Sequence, residues 1–347
     1  MPASPTDAPR PHRTRLKVIL LAAAVAVVIA GWSAYWMVLS GRVETMLRAT
    51  LADPLPDGTV ATCSPLAVAG YPFRIEARCG TVAADLPDGT RLSAGSLVAV
   101  ALAYDWRRAI IELDGPLAVV PAAAPPLEAS WTTARASVTR AGALLANADV
   151  AVVEPVVTLA GTAFASAAEV EAHARRTPGP DGGSDLAVSA KGLSAAQLPL
   201  PVPLDVAAVV QVGDGGAVLR GRGPLVEGIG EAPLPISVRS LSVAAAGARL
   251  SATGDLTLDA EGRLDGSLAV TVVDVPALAG LLARLLPPDS PLPTAIAGAV
   301  AALGRDAGDG GRTVPVTIRR GRASIGFIPL GRLPRLPLGG DFGGAYQ

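Results

Sequence analysis

From Val18 to Leu39 the chain runs 22 residues without a formal charge, and from about Val60 onward apolar residues alternate with small or polar ones for most of its length. The two patterns predict different elements. An uninterrupted apolar run of that size makes a helix of roughly 33 Å, enough to cross a bilayer core of about 30 Å. Trp32, Tyr35 and Trp36 near its far end suit an interfacial aromatic belt. Arg10, Arg13, Arg15 and Lys17 on the near side predict a cytoplasmic N-terminus and export of everything beyond Gly41. Residues 1–17 therefore read as a basic cytoplasmic tail and 18–39 as a single transmembrane helix. A cleaved signal peptide cut after Val28-Ile29-Ala30 is the competing reading, while a helix buried in a soluble core fits poorly because no polar face interrupts the run. The stretch RVETMLRATLA is expected to prolong the helix until Asp53-Pro54 ends it, since a residue before proline disfavours α geometry.

Period-two alternation marks the segments SLVAVALAYDW, RAIIELDGPLAVV, PLEASWTTARASVTR, NADVAVVEPVVTLAG, DLAVSAKGL, PLDVAAVVQVG and ISVRSLSVAAAGARLSATG as half-buried strands. TAFASAAEVEAHARR reads the same way, with a helix as its alternative because of its Ala and Glu content. Asp259-Ala260-Glu261-Gly262 and Arg320-Gly321 read as hairpin turns. Only PALAGLLARLLPP and PTAIAGAVAALG, within 276–304, carry helical spacing, each opened by a proline. The break TPGPDGGSD divides the exported part into two β-rich halves, 41–176 and 186–347. RLSAGSLVAVALA in the first half and RLDGSLAVTVVD in the second hint at a duplication. The fold class is mainly β: an N-terminal transmembrane helix followed by a large antiparallel β-sheet body, built as one curved sheet or two similar sheets, with two short helices near 276–304.

Charge narrows the function. Among 347 residues, 29 Lys and Arg balance 30 Asp and Glu, so no basic stripe able to neutralise several phosphates is expected and nucleic acid is not a predicted partner. A hydrophobic fraction of 50% excludes wholesale disorder. Catalysis finds little support. His12 and His173 are the two histidines, and no nucleophile elbow, phosphate-binding glycine loop, H-E-x-x-H or calcium loop is present. Gly221-Arg222-Gly223 and the glycines at 308–311 read as turns. No enzyme, cofactor or metal site is expected; a hydrolase with spatially paired carboxylates is the remaining enzymatic alternative.

Cys63 and Cys79 lie on the predicted exported side, where disulfides persist. They flank Gly70-Tyr71-Pro72 in what reads as a hairpin. A turn centred on Tyr71 sets the cysteines, each eight residues away, directly opposite and within bridging distance. Tyr71 and Phe73 flank Pro72, and Tyr104 and Trp106 flank Asp105 beside Arg107 and Arg108. These side chains either close the ends of an Ala- and Val-rich core or form a recognition patch for lipid headgroups or a protein partner, with Arg74, Arg107 and Arg108 as anion ligands.

The N-terminal anchor, Cys63, Gly70-Tyr71-Pro72-Phe73-Arg74-Ile75, Cys79, Tyr104-Asp105-Trp106 and the closing Ile325-Gly326-Phe327-Ile328-Pro329-Leu330-Gly331 together resemble the DUF2125 family over about residues 15–340. The resemblance implies a Gram-negative inner-membrane protein with a periplasmic β-rich body, and it implies no activity. DLTLDAEGRLDGSLAVTVVD and SIGFIPLG are similar in pattern to the C-terminal portions of AsmA-like envelope proteins, a likeness that implies lipid handling along a β-groove. The leading expectation is a non-enzymatic envelope protein that binds or passes lipid, and the alternative is a periplasmic scaffold that binds a protein through the 63–79 hairpin. Lipid handling needs a continuous apolar trough, whereas a scaffold needs only a local patch of roughly a few hundred Å².

Overall fold

The computed structural model describes residues 11–142, 144–177, 183–196, 202–213, 233–285, 290–308 and 310–336. Gly221-Arg222-Gly223, most of the break at 177–185 and the first ten residues of the basic tail lie outside them. The rest of that tail is the beginning of α1 (Pro11–Ala52), a 42-residue helix that runs unbroken through the apolar segment and its polar continuation. Proline suits the first turn, where its missing N–H leaves no bond unmade. At about 1.5 Å per residue the helix is roughly 63 Å long, and it is long and apolar enough to cross a membrane. It ends before Asp53-Pro54, as the sequence predicts.

The body is one antiparallel meander in which consecutive strands are neighbours. It opens with the hairpin of β1 (Val60–Ala69) and β2 (Arg74–Asp85). Five long strands follow, each broken once: β3 (Arg91–Ala94) with β4 (Leu97–Leu102), β5 (Asp105–Leu113) with β6 (Leu117–Val120), β7 (Leu127–Ser130) with β8 (Thr133–Ala141), β9 (Leu144–Val153) with β10 (Val156–Leu159), and β11 (Thr162–Ser166) with β12 (Glu169–Arg176). TAFASAAEVEAHARR is thus strand, not helix. The breaks lie side by side, at Gly95-Ser96, Gly115-Pro116, Trp131-Thr132, Pro155 and Ala167-Ala168. Glycine and proline weaken a ladder from within. Across the breaks the backbone still bonds, from Thr132 N–H to Val153 O at 3.0 Å and from Ala168 N–H to Lys191 O at 2.8 Å. Aligned breaks in bonded strands make a crease, along which the sheet folds toward one face.

Beyond the crease come β13 (Ser184–Ala195), β14 (Leu204–Val212), β15 (Leu234–Ala245), β16 (Ala248–Leu258) and β17 (Leu264–Val273), then α2 (Val275–Leu285), α3 (Leu292–Leu303), β18 (Arg305–Asp306), β19 (Gly311–Arg319), β20 (Arg322–Ile325) and β21 (Ile328–Arg332). Because β12 pairs with β13 from Glu169↔Lys191 to Arg176↔Ser184, the sheet passes straight through the break between the two halves. The outcome is one curved sheet, not two similar ones.

Register decides what its faces carry. A single row of ladder partners runs Val68, Ala77, Ala99, Ile111, Ala136, Val150, Ala172, Val188, Ala208, Leu241, Ala252, Val270 and Val314, one residue from each successive strand and every one apolar. The opposite face is a polar lattice in which Glu112 meets Arg135, Asp149 meets Ser137 and His173, Lys191 meets Glu169, and Asp255 meets Ser237. Its carboxylates pair with hydroxyls and cations as cross-strand neighbours do in any sheet. At the far end the apolar face is covered. Ala299 and Val300 of α3 pack with Val238, Leu256, Val314, Val316 and Ile318, and the small residues of α3 let it lie close. Full burial of each such Val, Leu or Ile contributes about 1.5–3 kcal/mol. Among the described residues no helix pair covers the first half, and Val150 and Val188 remain 43% and 48% exposed.

Candidate functional site

Two features of the first half carry the sequence-predicted site residues: an apolar hollow at the top of α1 and a cluster of turns at the level of its aromatic band. The hollow, about 440 Å³, opens onto the apolar face between the last turns of α1 and the crease. Leu47 and Leu51 form its helical side and Leu66, Val82, Leu97 and Leu113 its sheet side. Leu66, Leu97 and Leu113 lie on one arm of the crease and Val82, with Leu92 and Leu117, on the other, so the bend in the sheet creates the concavity.

Cys63 and Cys79 stand in its wall and form a disulfide, with Cα atoms 5.2 Å apart. The expected register is corrected. Cys63 pairs with Val82 and Cys79 with Leu66, three residues away from direct opposition. The turn is centred beyond Tyr71, because Arg74 N–H bonds back to Gly70 O at 3.1 Å and encloses Tyr71, Pro72 and Phe73. The bridge instead joins a diagonal where the strands close in at Pro65, and a Cβ on Gly80 would lie 2.6 Å from the Pro65 ring. The bond fastens β1, an edge strand paired only with β2 among the described residues, to the body. Replacing both cysteines by serine is expected to cost about 3 kcal/mol in the chain-entropy model, read by urea unfolding. Non-reducing peptide maps should contain the Cys63–Cys79 crosslink, and free thiols in the folded protein would contradict it.

The turn cluster sits against α1. Trp32 Nε1–H donates to Pro72 O at 2.8 Å, Trp36 Nε1–H to Arg74 O at 2.9 Å and the Tyr35 hydroxyl to Ala103 O at 3.0 Å. Ser33 Oγ and the Tyr71 hydroxyl share a further bond at 2.8 Å. Trp36 meets Tyr71 edge to face at 5.5 Å, and Trp32 lies 6.3 Å from Phe73. Buried indole and phenol groups need a partner for their N–H or O–H, and backbone carbonyls of two tight turns supply it. One cluster thus contains the aromatic belt and the aromatic pairs, which read as separate features in sequence. Nothing in the one-dimensional pattern marks Ser33, or the carbonyls of Pro72 and Ala103, as their partners.

Three of the arginines beside these turns contact carboxylates. Arg74 and Arg78 both hold Glu76, which is only 5% exposed, with Arg74 Nε 3.2 Å from its Oε2. Arg107 pairs with Asp105 at 3.0 Å, and that hydrogen bond, aided by the Arg107 backbone N–H, holds the Asp105 carboxyl below its ordinary range. Arg74 and Arg107 therefore each have a carboxylate partner within the protein. Phe73, Tyr104 and Trp106 stay 62%, 64% and 78% exposed around them.

A family model described as an uncharacterized protein conserved in bacteria, DUF2125, matches residues 36–334. The chain belongs to the DUF2125 family. No curated protein and no solved structure matches it. The DUF2125 match begins at Trp36, inside α1, and so takes in that residue's contact with Arg74, the bridged hairpin, the crease and the covered end of the sheet.

Proposed function

We propose that this DUF2125 protein is a non-enzymatic, single-pass inner-membrane protein that holds or passes lipid acyl chains along the apolar face of its sheet. Its N-terminus is cytoplasmic and its body lies in the periplasm, where it serves the envelope. The observation that carries the proposal is the unbroken apolar row from Val68 to Val314, exposed at Val150 and Val188. A binding module for a protein would need only a local patch, whereas this row crosses thirteen strands. The turns held by Trp32 and Trp36 rest at the membrane–water interface, where aromatic side chains are favoured. Phe73, Tyr104 and Trp106 meet headgroups there, and the hollow beneath Leu47 and Leu51 receives chains leaving the leaflet.

The test is photocrosslinking in cells, with a photoreactive residue at Val150 or Val188 of the full chain. Phospholipid adducts are expected. Adducts to protein alone, or none, would replace this reading by the scaffold alternative. Alkaline-phosphatase fusions after Gly41 are expected to be active, and an inactive fusion would reverse the orientation.

A further inference from the structure

At the opposite end of the sheet from α1, six arginines face one hollow of about 450 Å³: Arg263 and, from one stretch near the end of the chain, Arg319, Arg320, Arg322, Arg332 and Arg335. They come from the turn between β16 and β17, the turn between β19 and β20, and the chain around and after the end of β21. Backbone bonds tie these three segments together. Gly321 N–H donates to Leu264 O at 2.8 Å, Leu333 N–H to Gly321 O at 2.8 Å and Leu336 N–H to Gly262 O at 2.9 Å. The Arg320 N–H adds a bond to Asp265 Oδ1 at 2.8 Å. Main-chain bonds therefore hold the three segments of the cradle together, and the guanidinium groups of Arg319, Arg320, Arg322, Arg332 and Arg335 take no part in them.

Only Arg263 is neutralised. Its Nε lies 2.7 Å from Asp259 and its terminal nitrogen 2.7 Å from Glu261. Among the described residues none of the other five arginines has a carboxylate at ion-pairing distance. Elsewhere on this sheet Arg135 is paired with Glu112 and Arg175 with Asp185. Five unpaired guanidiniums around one hollow repel one another, and their combined field favours an anion between them. Guanidinium forks match the oxygen spacing of a phosphoryl group and bind it bidentately, which a point charge does not.

We propose that this cradle binds a multiply charged phosphoryl group, carried either by a lipid headgroup or by a free phosphate. The proposal does not rest on the apolar trough. Strand directions favour the headgroup source: in the meander alternate turns share an edge, and the turns at Asp259–Arg263 and Arg320-Gly321 fall on the same edge as the Gly70–Phe73 turn bound to α1.

The test uses the full chain in phosphatidylcholine nanodiscs at about 0.15 M salt, where exposed charges are screened beyond about 8 Å. Calorimetric titration is run with inorganic pyrophosphate and with soluble dihexanoyl phosphatidic acid. At least one is expected to bind. The double variant Arg319→Gln/Arg332→Gln should then weaken binding about tenfold or more, and the Lys pair, which keeps charge but loses the fork, should recover only part of it. Tighter binding of the short-chain lipid assigns the site to headgroups, and tighter binding of pyrophosphate assigns it to free phosphate. Arg140→Gln, on another turn of the same edge, should bind as wild type. Thermal unfolding checks that the variants fold, and Arg335→Gln, beyond the last strand, supplies a loss of binding that cannot come from sheet disruption. A wild-type chain that binds neither probe, or a double variant that binds unchanged, overturns the proposal.

Discussion

Replacing Val150 and Val188 together by arginine is expected to lower phospholipid capture on the apolar face at least about tenfold, because a tenfold loss needs only about 1.4 kcal/mol. That is the burial of roughly two methylene groups at about 0.8 kcal/mol each, and the two valines flank Ala172 in the middle of the apolar row. Stability should change little. Both positions are nearly half exposed, so the long side chains can carry their charge to water while their stems cover apolar surface. Ala187→Arg places the same charge on the polar face opposite His173 and should leave capture intact. The readout is the yield of phospholipid adduct from a photoreactive residue at Ala136, the row position next to Val150. Equal yields in wild type and the double variant would remove the apolar row from the mechanism.

Gly254→Ala is expected to destabilise the protein by about 3 kcal/mol, a cost in the range set by backbone strain with a steric clash. Gly254 sits at φ +151° in β16, and a Cβ there would lie 2.3 Å from Ser267 O, a backbone atom that cannot swing aside. Gly266 in β17 is its reciprocal, at φ +137° with Asp255 O at 2.3 Å. The two strands approach closely under the helix pair, and the covered core depends on that approach. Either alanine should show the loss in urea unfolding. The double variant should lose less than the sum, because both act on the same stretch of the β16–β17 approach. Gly280→Ala in α2 meets nothing within 4 Å and should be neutral or stabilising by up to about 1 kcal/mol. Equal stability of Gly254→Ala and wild type would show that the β16–β17 approach can relax.

Much of this architecture is legible locally. The uncharged run with its basic flank specifies α1, and period two specifies the strands, including TAFASAAEVEAHARR, where alternation prevails over the helix preference of its alanines. Leucines at helical spacing and opening prolines specify α2 and α3. The turn at Asp259 sits where its turn signal places it, and Asp57, Asp88 and Asp259 each accept a backbone N–H from two residues on. The Asp57 carboxyl is held below its ordinary range by its bond from the Thr59 backbone.

Other features depend on how distant segments meet. The hairpin closes three residues off the expected register because a backbone bond from Arg74 to Gly70 defines the turn, and no side-chain pattern records that bond. Glycines and prolines at scattered positions become a crease only when the strands carrying them lie side by side. Alternation tells which residues of one strand share a face. Pairing alone aligns those faces into a row of thirteen, and it alone brings Trp32 and Trp36 onto the carbonyls of Pro72 and Arg74. The charge count is balanced and five of the six arginines already cluster within residues 319–335, yet only folding sets Arg263 beside them around one hollow. The elements and their order can be read along the chain because periodicity, capping and turn chemistry act within a few residues. The tertiary structure decided register, crease, apolar row and arginine cradle, because each is a relation between segments that only main-chain pairing brings into contact.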